Sequence, residues 1–387
     1  MIQLAKRLQG VGEYYFSKKL KEIDELNKAG MSVINLGIGS PDLPPHADVI
    51  RELQDQSTRR GVHGYQSYRG SPVFREAVAK WYQREYNVSL NPADEILPLI
   101  GSKEGIMHIC MTYLNDGDKV LTPNPGYPTY RSAVTLAGGV CMDYFLTEEG
   151  NYFPDLKDLE TSGLEGVKMM FVNYPHMPTG ATASKEQFES LVQFAKRNKI
   201  LLVHDNPYSF ILNLNPMSIL SVDGAMDVAV ELNSLSKSHN MAGWRVGMIC
   251  GARERIEEIL RFKSNMDSGM FLPVQLAAAT ALSLPESWYD SINEVYKKRR
   301  ELAIDLMRDL LHCSIQPKQV GLFLWGRIPD SSGTGYDLSD EILHNAAVFI
   351  TPGGIFGSAG DKYLRVSLTS TEERFQEAID RIKNTRA

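Results

Sequence analysis

The sequence predicts an α/β protein built around an open, buried β-sheet. Short apolar runs typical of buried strands, at 167–172, 200–203 and 228–232, alternate with segments whose apolar residues recur at helical spacing. The 387 residues are too many for one compact core, so we expect two domains. Because ligands of open α/β sheets bind beyond the carboxyl ends of the strands, the residues that follow these runs are the first candidates for a site.

The chain begins with a predicted helix and a short strand. Apolar residues at helical spacing cover 13–30, and the strand that follows, 33–36, runs into Gly37 and Gly39. Glycines let a ligand approach the backbone closely. A simple turn before Pro41 explains the same glycines without a ligand.

A phosphate site is predicted where strand 96–100 meets the next helix. Ser102 is expected to be the N-cap of that helix, with Lys103 beside it. The N–H groups at a helix start bind anions, so this turn is a candidate phosphate cradle. Many helices begin with Ser-Lys without binding anything, and that alternative stays open.

Two tyrosines stand in turn-rich loops. Tyr65 precedes the predicted helix 74–86, and packing against that helix is as good an explanation as a binding role. Tyr127 follows strand 120–122 on a loop framed by prolines. A ring held this rigidly suits stacking on a flat heteroaromatic ligand, although plain packing is the alternative.

A carboxylate stands at the end of one buried strand. Strand 200–203 runs into Asp205, and Tyr208 follows three residues later. A charged carboxylate in such a place is costly unless it has a cationic or N–H partner, and a pyridinium nitrogen would serve. An aspartate that shapes a turn or caps a helix is the ordinary alternative.

The most specific pattern follows strand 228–232. Ser234, Ser236 and Lys237 come directly after it, and Arg245 follows eight residues beyond the lysine. Serine hydroxyls and an arginine fork bind a phosphate dianion, while a lysine amine can form an imine with an aldehyde on the same ligand. A solvated loop lysine and an ion-paired arginine are the ordinary alternative.

The chain changes character after Pro285. One long helix is predicted over 287–313, followed by strands at 322–325 and 363–368. Arg365 lies in the last of these strands, where an inward arginine needs an anion such as a carboxylate. We expect the inward orientation, although an outward Arg365 would be ordinary surface.

The pattern S-x-S-K-x-x-x-M-x-G-x-R, from Ser234 to Arg245, resembles the cofactor-lysine motif of class I/II aminotransferases, which use pyridoxal 5′-phosphate. The likeness runs from Leu36 to Leu368 and is nearest to the branch of alanine and LL-diaminopimelate aminotransferases. It implies fold type I, with a large three-layer domain around a mostly parallel sheet at 41–284. A smaller α+β domain would combine 1–40 with 285–387, and the protein would be a homodimer.

The resemblance also implies roles for the candidate residues. Lys237 would carry the cofactor as an internal aldimine and move the substrate Cα proton, while Asp205 would face the pyridine nitrogen and Tyr208 the phenolic oxygen. The substrate carboxylate would bind Arg365 and a backbone group at Gly37. Further cofactor contacts are implied for Ser102, Lys103, Tyr127, Asn173, Ser234, Ser236, Arg245 and Tyr65, the last reaching the phosphate of the neighbouring subunit.

Met177 departs from the family pattern. Similar proteins usually have Asn-Pro-Thr-Gly where this chain has Met-Pro-Thr-Gly, and that asparagine donates a hydrogen bond to the phenolic oxygen of the cofactor. Methionine has no N–H to donate. The contact is therefore expected to be absent, or to come from a neighbour such as Asn173.

The expected activity is a ping-pong transfer of an amino group between an amino acid and a 2-oxo acid. The donor is expected to be neutral, such as alanine, or LL-diaminopimelate, with 2-oxoglutarate as the acceptor. A pyridoxal-phosphate-dependent C–S or β-lyase would use the same lysine, aspartate and arginine and stays an alternative. A nicotinamide enzyme would need G-x-G-x-x-G opening a helix, and the prolines after Gly39 prevent a helix there.

Composition argues against several other classes. A net charge of −6 and a pI near 5.8 disfavour nucleic acid or an anionic membrane as the main partner. No segment approaches the roughly 20 apolar residues of a membrane span. Four scattered cysteines suggest neither a metal site nor a disulfide framework, and we expect a cytoplasmic protein without a metal.

Overall fold

A computed structural model describes residues 2–9, 11–13 and 15–386. Its strands, in chain order, are β1 (Ile34–Asn35), β2 (Ile96–Leu99), β3 (Lys119–Asn124), β4 (Val140–Phe145), β5 (Val167–Asn173), β6 (Leu201–Asp205), β7 (Ala229–Ser234), β8 (Gly247–Gly251), β9 (Ser314–Ile315), β10 (Phe323–Arg327), β11 (Val348–Phe349), β12 (Thr351–Pro352) and β13 (Tyr363–Ser367).

The α-helices alternate with these strands over most of the chain. They are α1 (Tyr15–Lys28), α2 (Ala47–Ser57), α3 (Pro72–Tyr86), α4 (Ser102–Tyr113), α5 (Pro128–Leu136), α6 (Leu156–Ser162), α7 (Lys185–Asn198), α8 (Ala225–Val228), α9 (Leu235–Ser238), α10 (Arg253–Met266), α11 (Leu272–Leu282), α12 (Ser287–Ile304), α13 (Gly335–Ala346) and α14 (Glu372–Arg386). Helix α12 continues as a π-helical segment, Asp305–Leu310, so the predicted helix over 287–313 ends close to its expected boundary.

The central element is a seven-stranded sheet in the order β2-β8-β7-β6-β5-β3-β4. Its strands run parallel except for β8, which is antiparallel to both of its neighbours. The prediction of an α/β protein with a mostly parallel sheet is confirmed. In this arrangement Asn173 lies beside Asp205, and Asp205 beside Leu232, so the polar ends of three strands meet at one edge.

Each face of this sheet carries its own apolar core. Along β5, Met169 and Phe171 pack in one buried cluster, while Met170 and Val172 pack in another. This alternation follows from the two-residue period of a strand. Because both faces are covered, most residues of these strands are buried, and the sheet is the middle layer of three.

Two smaller sheets bring the ends of the chain together. Strands β9, β10, β12 and β13 form an antiparallel sheet in the order β12-β13-β10-β9, and β1 pairs in parallel with β11. The Ser367 N–H donates to the carbonyl of Leu36 over 2.7 Å, which fixes the segment after β1 against β13. The predicted strand at 33–36 is shorter than expected, because only Ile34 and Asn35 are paired as a ladder.

Candidate active site

The polar edge of the seven-stranded sheet opens into a cavity of about 420 Å³. Eleven of the predicted site residues contribute to its wall, namely Ser102, Lys103, Tyr127, Asn173, Asp205, Tyr208, Ser234, Ser236, Lys237, Arg245 and Arg365, and Met177 lies there as well. Gly37 and Tyr65 do not contribute to it. Segments that are far apart in sequence therefore meet in one site.

One end of the cavity is a cluster of donors suited to an anion. Ser234 is the N-cap of α9, where its hydroxyl accepts from the Ser236 N–H over 3.1 Å and donates to the Ser236 hydroxyl over 2.8 Å. Burial lowers the pKa of Lys103, and the nearby charge of Arg245 lowers it further. Two hydroxyls and two neighbouring cations in the same cavity wall favour a bound dianion.

Glycines make room for this cluster. A Cβ on Gly101 would lie 2.2 Å from an Arg245 Nη atom, and a Cβ on Gly247 would lie 2.7 Å from the Ser102 nitrogen. Gly101, rather than Ser102, is the cap residue of α4, because the backbone there has a φ of +81° that glycine adopts without strain. The expectation that Ser102 caps the helix is wrong, and Ser102 is the first helical residue.

Asp205 has one unfilled oxygen. Its Oδ2 accepts a hydrogen bond from the Tyr130 hydroxyl over 2.8 Å, whereas the buried Oδ1 has no hydrogen-bond partner among the described residues. Burial raises the pKa of this carboxyl to about 6, against the opposing effect of the Tyr130 hydrogen bond. A buried acceptor of this kind requires a donor, and a pyridinium N–H fits it.

Lys237 lines the same cavity, and its ammonium group is more acidic than that of an ordinary lysine. Its Nζ donates to the carbonyl of Gly39. Burial lowers the pKa of the ammonium to about 8, and the charges of Arg365 and Arg245 contribute to that decrease. A lowered pKa increases the fraction of neutral, nucleophilic amine near pH 7.

Arg365 points inward, as expected. It is only 4% exposed, and its Nη2 donates to the carbonyl of Gly37 over 2.6 Å. The guanidinium carbon lies 4.0 Å from the ring centre of Phe323. The Gly37 N–H donates to the Asn35 side chain over 3.0 Å, so this backbone group, expected to face the substrate, is engaged elsewhere.

Met177 lies in the cavity wall, with its sulfur 3.4 Å from Nη1 of Arg365. Asn173 is close by, and both ends of its amide contact the backbone. Its Nδ2 donates to the Asp205 carbonyl over 2.6 Å, and its Oδ1 accepts from the Met177 N–H over 2.7 Å. Since an amide nitrogen carries two hydrogens, Asn173 retains a second N–H.

Sequence reasoning missed several residues of the cavity. Tyr130 lies one helical turn after Tyr127, and this spacing was a usable signal because residues three apart share a helix face. The remaining lining residues to which no role was assigned are Phe16, Ile38, Pro207, Ala242, Phe323 and Phe356.

The residues present fit the pyridoxal phosphate that the resemblance implies. The donor cluster suits its phosphate, Asp205 Oδ1 suits its ring nitrogen, and Lys237 lines the same cavity. The ring of Tyr127 also lines the wall.

Comparison with known proteins gives one consistent family. The family model for aminotransferase class I and II matches residues 31–382. An LL-diaminopimelate aminotransferase of Halothermothrix orenii is 39% identical over 383 residues, which are 98% of each chain.

Solved structures show the same likeness along the whole chain. The substrate-bound BacF structure from Bacillus subtilis superposes with a TM-score of 0.95 at 35% identity, covering 99% of this chain and 98% of that one. An aromatic aminotransferase from Pyrococcus horikoshii superposes with a TM-score of 0.86 at 28% identity, covering 94% of this chain and 98% of the other.

Proposed function

Because the chain belongs to the class I and II aminotransferases, which depend on pyridoxal 5′-phosphate, we propose that this cavity is the active site and that Lys237 is the residue that carries the cofactor. The observation that supports this most strongly is that the amine of Lys237 shares one cavity with the unfilled oxygen of Asp205 and the donor cluster around Arg245. As a transaminase, the protein takes an amino group from an amino acid and gives it to a 2-oxo acid.

Pyridoxal phosphate, when bound, supplies an aldehyde that condenses with amines and a ring that accepts electrons from the substrate carbon. Asp205 would hold the ring N–H, and above its pKa of about 6 the carboxylate would favour the protonated ring. Ser234, Ser236 and Arg245 would hold the phosphate. Tyr208, whose ring lines the cavity, would contact the phenolic oxygen.

Two basic side chains act on the substrate. Arg365 presents a planar fork at which an α-carboxylate is held bidentately, and this fixes the orientation of Cα. Lys237, in its neutral form, takes the proton from Cα as a general base. As the resulting ammonium, it gives that proton up again later in the same half-reaction, acting as a general acid. The pKa of about 8 gives Lys237 a larger neutral fraction near neutral pH than an ordinary lysine has.

A second copy of the chain completes the site in this proposal. Tyr65 is 93% exposed and lies outside the cavity of its own chain, in a loop where His63 stacks on Phe271 at 5.7 Å. Tyr68, Met266 and Phe271 are also exposed. An aromatic patch of this kind is typical of an interface, and it supports a homodimer in which Tyr65 reaches the phosphate of the neighbouring subunit.

The larger organisation follows the same proposal. Residues 41–284 would form the large domain, and 1–40 with 285–387 the small one, an assignment that the pairing of β1 with β11 supports. Among the described residues, no helix has the length and apolar character needed to cross a bilayer. The four cysteines occur as thiols, which supports a reducing, cytoplasmic location.

The donor and acceptor are the finer part of the proposal. Alanine, a larger neutral amino acid and LL-diaminopimelate are the candidate donors, and 2-oxoglutarate is the candidate acceptor. A transaminase releases one oxo acid for each cofactor converted and releases no ammonia, whereas a lyase of the same fold releases ammonia with each turnover. Measuring both products in a single turnover separates the two activities.

Lys237→Ala tests the central assignment. Turnover is expected to fall at least about 10²–10⁴-fold, because the general base is lost. Borohydride reduction of the wild-type holoenzyme, followed by mass spectrometry of its peptides, is expected to find the cofactor on Lys237. Lys103→Ala is the matched control, which weakens phosphate binding without removing the label. Label on Lys103 in the wild-type protein would contradict the assignment.

A further inference from the structure

The end of the cavity next to Arg365 is apolar. Phe323, the first residue of β10, places its ring centre 4.0 Å from the guanidinium carbon, and Phe356 and Phe16 place theirs at 4.7 Å and 5.7 Å. Ile38 and the thioether of Met177 complete this part of the wall. We call these five residues the apolar wall.

The apolar wall is where the side chain of a substrate must lie. With its carboxylate on Arg365, an amino acid has its Cβ two bonds from the carboxylate carbon. The atoms beyond Cβ therefore lie among the rings that surround that arginine. Phe323 and Phe356 are 6% and 3% exposed, so this is a built, desolvated surface rather than an open one.

Each charged residue of the cavity already has a role in holding the cofactor or in acting at the reacting carbon, so none is left to pair with a charged substrate side chain. Lys103 and Arg245 belong to the donor cluster, Asp205 is buried against Tyr130, and Lys237 and Arg365 act at the reacting carbon. Within residues 2–9, 11–13 and 15–386, the cavity wall of one chain holds no further acidic or basic side chain. Within one chain, a second charged group on the substrate would meet rings, an isoleucine and a thioether.

We infer that the preferred donor is an amino acid with a large apolar side chain, above all an aromatic one. The inference rests on the proposed function of this cavity and names its substrate class. Aromatic rings gain from edge and offset contacts with other rings, and a methionine sulfur adds a favourable contact. A charged group buried there without a partner is strongly disfavoured.

The inference separates two of the candidate donors. LL-diaminopimelate ends in a second ammonium and carboxylate, and neither finds a partner in the apolar wall. The oxo acid enters the same cavity in the second half of the reaction. An aromatic 2-oxo acid is therefore expected to be a better acceptor than 2-oxoglutarate, whose second carboxylate would face the same rings.

A donor panel on the holoenzyme tests the inference. Each of L-phenylalanine, L-alanine and LL-diaminopimelate is mixed with excess enzyme without acceptor, and the second-order constant is read from the loss of the lysine-bound cofactor absorbance. L-phenylalanine is expected to exceed each of the others on the order of 10²-fold, the discrimination that a few methylenes of apolar contact provide. A constant for LL-diaminopimelate equal to or above that of L-phenylalanine overturns the inference. If no donor changes the absorbance, the proposed function itself fails.

A variant and a binding measurement localise the effect. Ile38→Ala is expected to lower the L-phenylalanine constant about 10-fold more than it lowers the L-alanine constant. Leu214→Ala removes a similar side chain that is 97% exposed and outside the cavity, and it should change neither constant. Calorimetry with the unreactive acids 3-phenylpropanoate and heptanedioate gives a readout without turnover. Tighter binding of heptanedioate, or equal loss with both donors in Ile38→Ala, would count against the apolar wall as the side-chain site.

Discussion

Because residue 177 is methionine rather than the asparagine of similar proteins, this chain lacks one hydrogen-bond donor near the expected position of the cofactor's phenolic oxygen. A donor at that position stabilises the oxygen as an anion and lowers the pKa of the nitrogen that joins Lys237 to the cofactor. Met177→Asn is therefore expected to shift the absorbance titration of the lysine-bound cofactor to lower pH, by up to about one unit, since one such bond is worth roughly 1.4 kcal/mol. An unchanged or higher value would mean that Asn173 already supplies its second N–H.

Asp205 carries a cost to folding that only the cofactor relieves. Its folded-state pKa is raised from 3.8 to about 6, so the folded protein binds more protons than the unfolded chain between these values, and stability falls as the pH rises through about 6. Without cofactor, Asp205→Asn is expected to raise the free energy of unfolding at pH 7 by up to about 3 kcal/mol, with the gain disappearing near pH 4.

Urea denaturation of the cofactor-free proteins at both pH values measures this difference. Asp55→Asn, at an exposed position in α2, is the control and should leave stability nearly unchanged. A destabilised Asp205→Asn at pH 7 would show that the Tyr130 hydrogen bond outweighs the burial of the charge. Asp205→Asn is expected to lose catalysis in either case. Groups that bind a ligand in an active site commonly reduce the stability of the protein when the ligand is absent.

At the scale of elements, strands and the polar residues at their ends could be predicted wherever the signal lay within one short segment of the sequence. Strands β5, β6 and β7 are apolar runs between helical segments, and their ends place Asn173 and Asp205 as the pattern indicated. The cap of α4 was misread, because the side chain that leaves no room for a Cβ at Gly101 belongs to Arg245, which lies far away in sequence. The apolar wall was hidden for the same reason, because its members come from α1, the segment after β1, the segment after β5, β10 and the turn 353–356.

Gly101, at the start of α4, offers a test of how this helix shapes the donor cluster. Gly101→Ala is expected to strain the backbone by about 1–2 kcal/mol and to push its methyl group into Arg245. Displacing that guanidinium should weaken cofactor binding about 10–100-fold, the usual worth of a hydrogen bond to a charged group.

The control is Gly117→Ala. Gly117 has a φ of +86°, but nothing lies within 4 Å of its added Cβ. It should show the backbone strain in a denaturation curve and retain the wild-type dissociation constant for pyridoxal phosphate, measured by fluorescence titration of the cofactor-free protein. Equal losses of affinity in both variants would mean that strain alone, rather than displacement of Arg245, weakens the site.

At the scale of the whole molecule, the proposed homodimer makes each site depend on two chains. A heterodimer of Lys237→Ala and Tyr65→Ala chains would hold one doubly defective site and one intact site. Heterodimers isolated with two different affinity tags are expected to regain about half of the activity of the wild-type dimer. Pairing Lys237→Ala with Tyr68→Ala controls for the exposed loop itself.

If Tyr65 acted within its own chain, the heterodimer would show no more activity than its Tyr65→Ala chain alone. This level of organisation was the least accessible to reasoning from the residues themselves. Tyr65 is an exposed side chain in a polar loop, and nothing in the spacing around it distinguishes a second-chain contact from packing. The lysine motif was accessible because all of its chemistry lies within the twelve residues from Ser234 to Arg245.

The contact of Arg365 with Gly37 joins the two ends of the chain, and it has a consequence for biosynthesis. All residues of the donor cluster, and Asp205, have been translated once Arg245 has been added. Arg365 follows Arg245 by 120 residues. At 5–20 residues per second, the ribosome needs about 6–24 s to add them. A nascent chain therefore carries every group of its own that holds the cofactor before it has the arginine that holds an amino acid. The chain can bind a substrate only after β13, which carries Arg365, has packed against the early segment that contains Gly37.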